Sequence, residues 1–344
     1  MITQAKTAEH ELLSALGWSS FFAEQITPDD ADLQPVRIAR VHRSRLTALS
    51  PHGPVEPVLT SDVTTSHFAV GDFVLIDPAT LLLQRRLERR SVIQRRVSGG
   101  TVPQLAGANI DTLFIVTSCN LDFSPARLER YLAWANQAGM EPVILLTKAD
   151  LTDDLASYEH QARALQRGLE VVIVNPKSSD ATASLAQWCK PGQTVALVGS
   201  SGVGKSTLVN TLVGATEELQ QETGSIREDD AKGRHTTTAR SLHPIAGGGW
   251  VIDTPGIRTL QVSDVADGLD ILFAEITEQA AQCRFRDCTH AHEPGCAVQA
   301  AVAAGAIDRE RLERWRKLQD ENAESDLAKT PWAGGTGGRR NKRR

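Results

Sequence analysis

The chain has 344 residues, of which 41% are hydrophobic and 23% are charged; these proportions exclude a fibrous or wholly disordered chain. Its length indicates two or three domains, since a domain spans roughly 100–200 residues. The sequence contains no run of ~18 apolar residues of the kind that crosses a membrane, and its first residues lack the pattern of a secretory signal. Five cysteines do not indicate a disulfide framework in a chain this long, so we expect a cytoplasmic protein that does not contact a membrane.

Charge is distributed unevenly along the chain, although the net value is only −5. Residues 1–34 hold one lysine and six acidic residues, whereas residues 35–100 hold ten arginines and five acidic residues. The last six residues add five basic side chains. Basic regions of this kind are typical of nucleic-acid contacts, although a solvated surface explains the same composition. The candidate RNA-contacting residues are Arg85, Arg86, Arg89, Arg90, Arg95 and Arg96.

The predicted elements change in character along the chain. After an acidic, helical extension (1–34), residues 35–100 contain short alternating strands separated by turns, which predicts a small all-β barrel. From 105 to 262, apolar strands alternate with helices, which predicts a parallel sheet covered on both faces. A helical segment with a Cys/His cluster (263–330) precedes a Gly-rich, basic tail (331–344) that we expect to be disordered. The strands of the parallel sheet are predicted at 111–117, 142–147, 170–174, 194–199 and 249–253.

A phosphate-binding loop is predicted at residues 199–206, which fit the pattern G-x-x-x-x-G-K-[ST] between a strand and a helix. Its glycines allow backbone N–H groups to surround phosphates, and the helix N-terminus adds partial positive charge. Lys205 can reach the β- and γ-phosphates and is also a candidate catalytic residue, while the Ser206 hydroxyl is placed to ligate Mg²⁺. The candidate nucleotide-binding residues here are Gly199, Ser200, Ser201, Gly202, Val203, Gly204, Lys205, Ser206 and Thr207.

Two later segments predict further contacts with Mg²⁺ and the γ-phosphate. Asp253 ends a strand in the sequence Asp-Thr-Pro-Gly, where its carboxylate suits the outer shell of Mg²⁺ and Gly256 can offer its N–H to the γ-phosphate. A threonine hydroxyl from the loop 233–238 completes Mg²⁺ coordination. Any of its three consecutive threonines fits that role, and we assign it to Thr237. The alternatives without a functional role are an ordinary turn at 253–256 and the start of a Thr-rich strand at the three threonines.

A base-reading motif is predicted at Thr147-Lys148-Ala149-Asp150, directly after a strand. The Asp150 carboxylate can accept hydrogen bonds from guanine N1–H and N2–H₂, whereas adenine offers no matching donors. The motif therefore predicts GTP rather than ATP, with the Lys148 stem over the base and Ser178 in the loop that backs it. In the alternative, a P-loop ATPase or kinase, Asp150 is only structural.

The base motif precedes the phosphate loop, which reverses the order found in ordinary small GTPases. Loops that follow parallel strands meet at one edge of the sheet, so the site can still assemble. Circular permutation is tolerated because domain termini often lie close together. The sequence therefore predicts a rearranged guanine-nucleotide pocket.

A Cys/His cluster follows the sheet. Cys283, Cys288, His290 and Cys296 place three thiols and one imidazole within fourteen residues, and His292 is a competing ligand. Three cysteines and one histidine match a closed, tetrahedral Zn²⁺ site. A segment this short cannot build its own core, so the metal is expected to supply folding energy.

These motifs together resemble the ribosome small-subunit-dependent GTPase A family of circularly permuted GTPases. The resemblance rests on the base motif, the phosphate loop GSSGVGKS, then GRHTTT, DTPG and C-x₄-C-x-H-x₅-C behind an N-terminal barrel. It implies an α/β fold in which a permuted P-loop GTPase domain (105–262) lies between an N-terminal OB-fold (35–100) and a helical zinc domain (263–330). It also implies GTP hydrolysis stimulated by the small ribosomal subunit, late maturation of that subunit, and contacts of both flanking domains with its rRNA. We expect a monomer that binds GTP and GDP.

Two positions depart from common GTPase patterns. Thr147 stands where the usual base motif begins with Asn, which ties this loop to the phosphate loop, so we expect slightly weaker base binding. Ile257 stands where many GTPases have a glutamine that orients water, and the family resemblance makes His235 the candidate catalytic substitute. Nothing in the sequence marks a preplaced arginine finger, although Arg234 or Arg258 could serve as one. Weak intrinsic activity is therefore expected until a partner orders the site. A nucleotide-gated RNA-binding switch with little turnover is the alternative function.

Overall fold

The structure is a computed structural model that describes residues 2–95, 104–178, 180–214, 240–253 and 265–327. The chain forms two compact units, residues 1–261 and residues 262–344. Within the described residues, no helix combines the length and the apolar character that a membrane crossing requires.

The acidic N-terminal extension is helical, but it is not one helix. It contains α1 (Ile2–Ala15), α2 (Ser20–Ala23) and a 3-10 turn at Pro28–Asp30. The break falls at Gly17, whose positive φ of 92° favours glycine. A Cβ at this position would lie 2.9 Å from the backbone oxygen of Gly192, so the chain also passes too close for a side chain.

Aromatic packing holds this extension against the barrel that follows it. The ring centroids of Trp18 and Phe22 lie 5.3 and 4.5 Å from that of Phe73. Phe22 and Phe73 are fully buried, and burial of such side chains contributes about 1.5–3 kcal/mol each. The extension is therefore part of the folded unit.

Five short strands form the predicted small barrel. Strand β1 pairs antiparallel with both β2 and β4, while β2 pairs with β3 and β4 pairs with β5. Val58, just after β3, forms a parallel bridge with Leu82, just before β5, and this bridge closes the circle. The strands are β1 (Gln34–Val41), β2 (Leu46–Ser50), β3 (Gly53–Val55), β4 (Phe73–Ile76) and β5 (Leu83–Arg86).

A two-stranded antiparallel sheet follows the barrel. It consists of β6 (Val92–Arg95) and β7 (Gln104–Ala108). Because the two strands pair, they join residues on both sides of the domain boundary expected at residue 100. Strand β6 therefore belongs with β7 rather than with the barrel strands.

The central sheet holds five parallel strands in the order β10-β9-β8-β11-β13. Strand β12 runs antiparallel to β13 and meets the barrel through the pair Arg40 and Ser241. The strands are β8 (Thr112–Ser118), β9 (Glu141–Thr147), β10 (Glu170–Ile173), β11 (Thr194–Val198), β12 (Ser241–Pro244) and β13 (Trp250–Asp253). The helices are α3 (Pro125–Gln137), α4 (Leu155–Arg163), α5 (Asp180–Leu185) and α6 (Lys205–Val213).

The strand order contains one reversal of direction. The chain adds β9 and β10 on one side of β8 and then places β11 on the other side. Ligands of open α/β sheets bind beyond the carboxyl ends of the strands at such a reversal. The topology therefore places a binding cleft between the loops that follow β8 and β11.

The sheet is a buried core layer, as continuous apolar strands require. All seven residues of β8 are buried. Phe114, Val116, Leu145 and Leu208 belong to one buried cluster formed by the sheet and its helices. This packing fixes the strand ends from which the site loops emerge.

Within residues 265–327, the part of the second unit that the structure describes, four helices surround the predicted Cys/His segment. They are α7 (Ala266–Leu272), α8 (Ala274–Ala280), α9 (Ala297–Ala303) and α10 (Arg309–Leu327). The Arg311 guanidinium lies 4.1 Å from the centroid of the Phe273 ring and pairs with Glu275 at 2.8 Å. These contacts pack α10 against the first two helices of the unit.

Candidate functional site

The predicted phosphate loop lies between β11 and α6, as the motif requires. The first residue, Gly199, has φ 139°, and a Cβ there would lie 2.1 Å from the Val116 carbonyl oxygen of β8. Only glycine fits this close approach. Lys205 begins α6, and its Nζ lies 2.8 Å from the Gly199 carbonyl oxygen and also contacts that of Ser200. The ammonium thus lies over the loop whose phosphate ligand it is predicted to bind.

Thr147 links the base motif to the phosphate loop. Its side chain is fully buried, and its hydroxyl lies 2.7 Å from the Val203 carbonyl oxygen and 3.1 Å from that of Thr117. The hydroxyl therefore donates to the phosphate loop, so Thr147 ties the base motif to that loop. A buried carbonyl that lost this donor would be left unsatisfied.

A cleft of about 370 Å³ lies between the two motifs. Lys148 contributes to it from the base motif in a left-handed backbone conformation, φ 55°. Residues 201–203 line it from the phosphate loop. The structure therefore brings the two predicted motifs together at the reversal of the sheet. Asp150 is not among the residues that line this cleft, and it is exposed in the 3-10 turn Ala149–Leu151.

A third wall of this cleft was not predicted from the sequence. The loop after β8 lines it with Ser118, Asn120, Leu121 and Asp122. Asn120 Oδ1 accepts hydrogen bonds from Ser118 Oγ and the Asp122 N–H, both at 2.9 Å, so the loop is internally ordered. Its position in the chain could have indicated this wall, because loops that follow buried parallel strands line the binding cleft of such sheets.

The loop that contains Ser178 packs beside the phosphate-binding helix. The Thr211 hydroxyl of α6 donates to the Pro176 carbonyl oxygen at 2.7 Å. Ser178 Oγ accepts the Asp180 N–H at 3.1 Å and thereby begins α5. The predicted backing loop is thus held close to α6 by the chain that precedes Ser178.

Asp253 ends β13, the parallel neighbour of β11. Its carboxyl-end position places it on the same edge of the sheet as the phosphate loop, and it stands opposite Ser241 of β12. The remaining predicted contacts, His235, Thr237 and Gly256, lie outside the described residues. Their roles stay predictions from sequence.

The four predicted metal ligands converge. Their ligand atoms all lie within 4.8 Å of one another, and His292 is not among them. Cys283 Sγ lies 3.8 Å from Cys296 Sγ, and both sulfurs lie 3.5 Å from His290 Nδ1. Tetrahedral bonds of typical Zn–S and Zn–N length require separations of roughly 3.8 and 3.5 Å. The donor set therefore fits a four-coordinate metal ion bound through Nδ1.

The environment of His290 favours the neutral imidazole, which is the form that binds a metal ion. Burial, followed by the nearby Arg316, lowers the pKa of this imidazole below its ordinary value. The neutral ring, which is the form that binds metal, is favoured at neutral pH.

Three of the six candidate RNA-contacting arginines form ion pairs within the unit, which sequence analysis did not anticipate. The pairs join Arg85 to Asp30 at 2.6 Å, Arg89 to Asp72 at 2.7 Å, and Arg90 to Asp111. Asp30 and Asp72 are buried, so these guanidinium groups stabilise the fold as well as adding positive charge.

The other three candidates differ in what the structure describes. Arg86 is exposed, and its Nη1 donates to a neighbouring backbone oxygen, that of Leu87, at 3.0 Å. The side chain of Arg95 and the whole of Arg96 lie outside the described residues. Among the candidates whose side chains the structure describes, Arg86 is therefore the best placed to contact RNA.

Comparison with known proteins places these features in a family. A family model described as RsgA GTPase matches residues 86–263. The chain is 64% identical over 321 residues to the small ribosomal subunit biogenesis GTPase RsgA of Mesorhizobium japonicum, covering 93% of both chains. It is 47% identical to RsgA 2 of Vibrio vulnificus, covering 90% of this chain and 88% of the relative.

Two solved structures share the fold. YjeQ from Thermotoga maritima superposes with a TM-score of 0.63 at 25% identity, covering 84% of this chain and 98% of that one. YloQ, a circularly permuted GTPase, superposes with a TM-score of 0.59 at 22% identity, covering 89% and 100%. These likenesses confirm the predicted permuted α/β GTPase fold. The chain belongs to the RsgA GTPase family.

Proposed function

We propose that this GTPase hydrolyses GTP while acting in the biogenesis of the small ribosomal subunit. The observation that carries the proposal is the cleft in which the phosphate loop and the base motif meet at the sheet reversal. The names of the relatives support the ribosomal role, since both curated relatives are named small ribosomal subunit biogenesis GTPases. Membership of a GTPase family decides against an ATPase or kinase.

In this proposal the nucleotide lies along the cleft. Residues 199–204 surround the α- and β-phosphates with backbone N–H groups, and Lys205 binds the β- and γ-phosphates. Asp150 reads guanine, and Lys148 covers the base. Ser206 ligates Mg²⁺, which neutralises charge that develops between the β- and γ-phosphates.

Asp253, which ends β13 on the same edge of the sheet as the phosphate loop, is proposed to hold the outer shell of Mg²⁺. The other assignments rest on sequence alone, and they begin with Thr237 as a direct Mg²⁺ ligand. Gly256 is proposed to donate its N–H to the γ-phosphate. His235 is proposed to orient the attacking water, in the role that glutamine has in many GTPases.

The metal in the second unit is proposed to be Zn²⁺. Support comes from the soft donor set of three thiols and one imidazole and from the 3.8 and 3.5 Å separations. With four protein ligands and no open position, the site is structural rather than catalytic.

RNA contact is proposed for the exposed arginines of the barrel. Arg86 is exposed at the end of β5, and Arg43 is exposed in the turn between β1 and β2. Arg85, Arg89 and Arg90 contribute positive charge while they hold the fold through their ion pairs. We also propose that the protein acts as a monomer in the cytoplasm, where ribosomal subunits are found.

The experiment that tests the function measures GTP turnover with purified small or large ribosomal subunits added separately. Small subunits should raise the rate strongly and large subunits should not. Stimulation should decline as salt rises, because contacts with RNA phosphates release counterions. Unchanged turnover in the presence of small subunits, together with nucleotide-dependent RNA binding, would favour the alternative of a binding switch.

A further inference from the structure

One carboxylate organises the loop around His290, between the metal ligands Cys288 and Cys296. Glu293 Oε1 accepts the Thr289 N–H at 2.9 Å and the Thr289 hydroxyl. Its Oε2 accepts the N–H groups of Ala291 and His292 at 3.1 and 3.2 Å. Four donors from a four-residue stretch thus converge on a single side chain.

This stretch contains the ligand His290. The donors of Thr289 precede it in the chain, and those of Ala291 and His292 follow it. Because Glu293 binds backbone on both sides of His290, it restricts the direction in which the imidazole leaves the loop.

The backbone of His290 itself needs support. It has φ 57°, a left-handed conformation that is unfavourable for any residue with a Cβ. Its carbonyl oxygen accepts hydrogen bonds from Gln299 of α9 and Arg316 of α10. The helices therefore hold the ligand from one side while the Glu293 carboxylate holds the loop from within.

Glu293 is not itself part of the cluster of ligand atoms. Its Oε2 lies 3.7 Å from Cys288 Sγ, so its charge would repel a Cys288 thiolate. Direct electrostatics and loop organisation thus have opposite effects on metal affinity. Removing the charge favours metal binding if repulsion dominates, and disfavours it if loop organisation dominates.

We propose that Glu293 is a positioning residue that folds the loop around His290 into its metal-binding form and thereby raises metal affinity. The proposal rests on the proposed zinc site. The four hydrogen bonds are local to the loop, so they can form before metal binds and reduce the conformational freedom that binding must remove.

The test measures Zn²⁺ affinity of the full chain by competition with a chromophoric chelator. Glu293→Gln should raise the Kd about 10- to 100-fold, as expected for a group that orients a ligand. Glu313→Gln, which removes the same charge from an exposed position of α10, should leave the Kd unchanged. An unchanged or lower Kd in Glu293→Gln would overturn the proposal. If the wild-type chain binds no Zn²⁺, the zinc site fails as well.

A milder variant keeps the test sharp if Glu293→Gln folds poorly. Thr289→Val removes only the hydroxyl donor of an exposed residue, and it should raise the Kd a few-fold. Thr289→Ser, which keeps the hydroxyl that acts through Glu293, should bind Zn²⁺ as wild type does. An equal rise of the Kd in both Thr289 variants would contradict the proposal.

Co²⁺ spectra separate positioning from ligation. Wild type, Glu293→Gln and Thr289→Val should show the same absorption bands of a four-coordinate S₃N site once saturated with Co²⁺. A changed spectrum in Glu293→Gln would show that the carboxylate ligates the ion, which would also overturn the proposal.

Discussion

Arg37 Nη2 donates a hydrogen bond to Thr194 Oγ1 at 2.8 Å, joining barrel strand β1 to the first residue of the strand that leads into the phosphate loop. The same guanidinium donates to the Leu16 carbonyl oxygen at 2.7 Å and to that of Asn109 at 3.3 Å. Arg37 is 1% exposed, and burial lowers its pKa to about 10. It therefore stays charged at neutral pH while it links the extension, the barrel and the central sheet.

Arg37→Met should destabilise the first unit by about 2–4 kcal/mol, because Leu16, Asn109 and Thr194 lose buried donors that nothing replaces. Urea unfolding followed by tryptophan fluorescence measures this loss. Arg43→Met, at an exposed position of the same barrel, is the matched control and should change the free energy of unfolding by less than about 0.5 kcal/mol. A similar value for both variants would contradict the linking role.

Asp30→Asn should lower the Tm at neutral pH. The hydrogen bond from Arg85, followed by that from the Thr27 N–H, holds the pKa of this carboxyl well below its ordinary 3.8. Since the folded-state pKa is depressed, the stabilisation is complete above the unfolded pKa and is lost as the pH falls below it.

The Tm difference between wild type and Asp30→Asn should therefore be constant above roughly pH 5 and shrink below roughly pH 4. Thermal unfolding followed by circular dichroism over this range measures it. Asp29→Asn, an exposed neighbour, should give a smaller difference. A Tm difference between wild type and Asp30→Asn that grows as the pH falls would refute this account.

Thr147→Val should weaken guanine-nucleotide binding about 3- to 10-fold, the effect of losing one hydrogen bond of about 1 kcal/mol. The Val203 carbonyl oxygen loses its donor, so the base motif and the phosphate loop are no longer tied together. Titration with a fluorescent GDP analogue measures the Kd. Thr147→Ser keeps the hydroxyl and should bind as wild type does; an equal loss in both variants would exclude the hydrogen bond as the cause.

Asp150→Asn should lower affinity for GTP at least about 100-fold, because two charge-assisted hydrogen bonds are lost. The same variant should gain affinity for xanthosine triphosphate, whose 2-oxo group accepts a hydrogen bond from the asparagine amide. Competition between the two nucleotides measures the change in preference. Retention of the wild-type preference would mean that Asp150 does not read the base.

His235→Ala should lower kcat for GTP hydrolysis at least about 100-fold in the presence of small subunits, while the Kd for GTP stays unchanged. A residue that orients water affects the chemical step and not ground-state binding. Single-turnover hydrolysis and nucleotide titration give the two quantities. His52→Ala, at an exposed barrel position, is the control. Wild-type turnover in His235→Ala would remove this residue from the mechanism.

Much of the permuted core could be predicted because its signals are local. The continuous apolar run of β8 and the glycine-lysine pattern after β11 each specify a conformation from adjacent residues. The short spacing of Cys283, Cys288, His290 and Cys296 likewise limits where their side chains can meet, and the four do converge.

Other features depend on residues distant in sequence, which no local pattern reveals. Arg85 and Arg89 look like free surface charge until the fold brings Asp30 and Asp72 beside them. Strand β12 escaped prediction because Ser241–Pro244 is short and largely polar, and it forms by pairing with β13. The cleft wall at Asn120–Asp122 is recognisable only once β8 is known to lie at the reversal.

The strand order also bears on how the chain folds as it leaves the ribosome. Strands β8, β9 and β10 are synthesised consecutively and can pair at once, but the other edge of β8 gains its partner only when residues 194–198 emerge. Leu113, Phe114, Ile115 and Val116 of that strand are apolar and fully buried in the folded chain, and an uncovered strand edge recruits other chains. Nascent chains halted before β11 should therefore aggregate, whereas chains released after it should not.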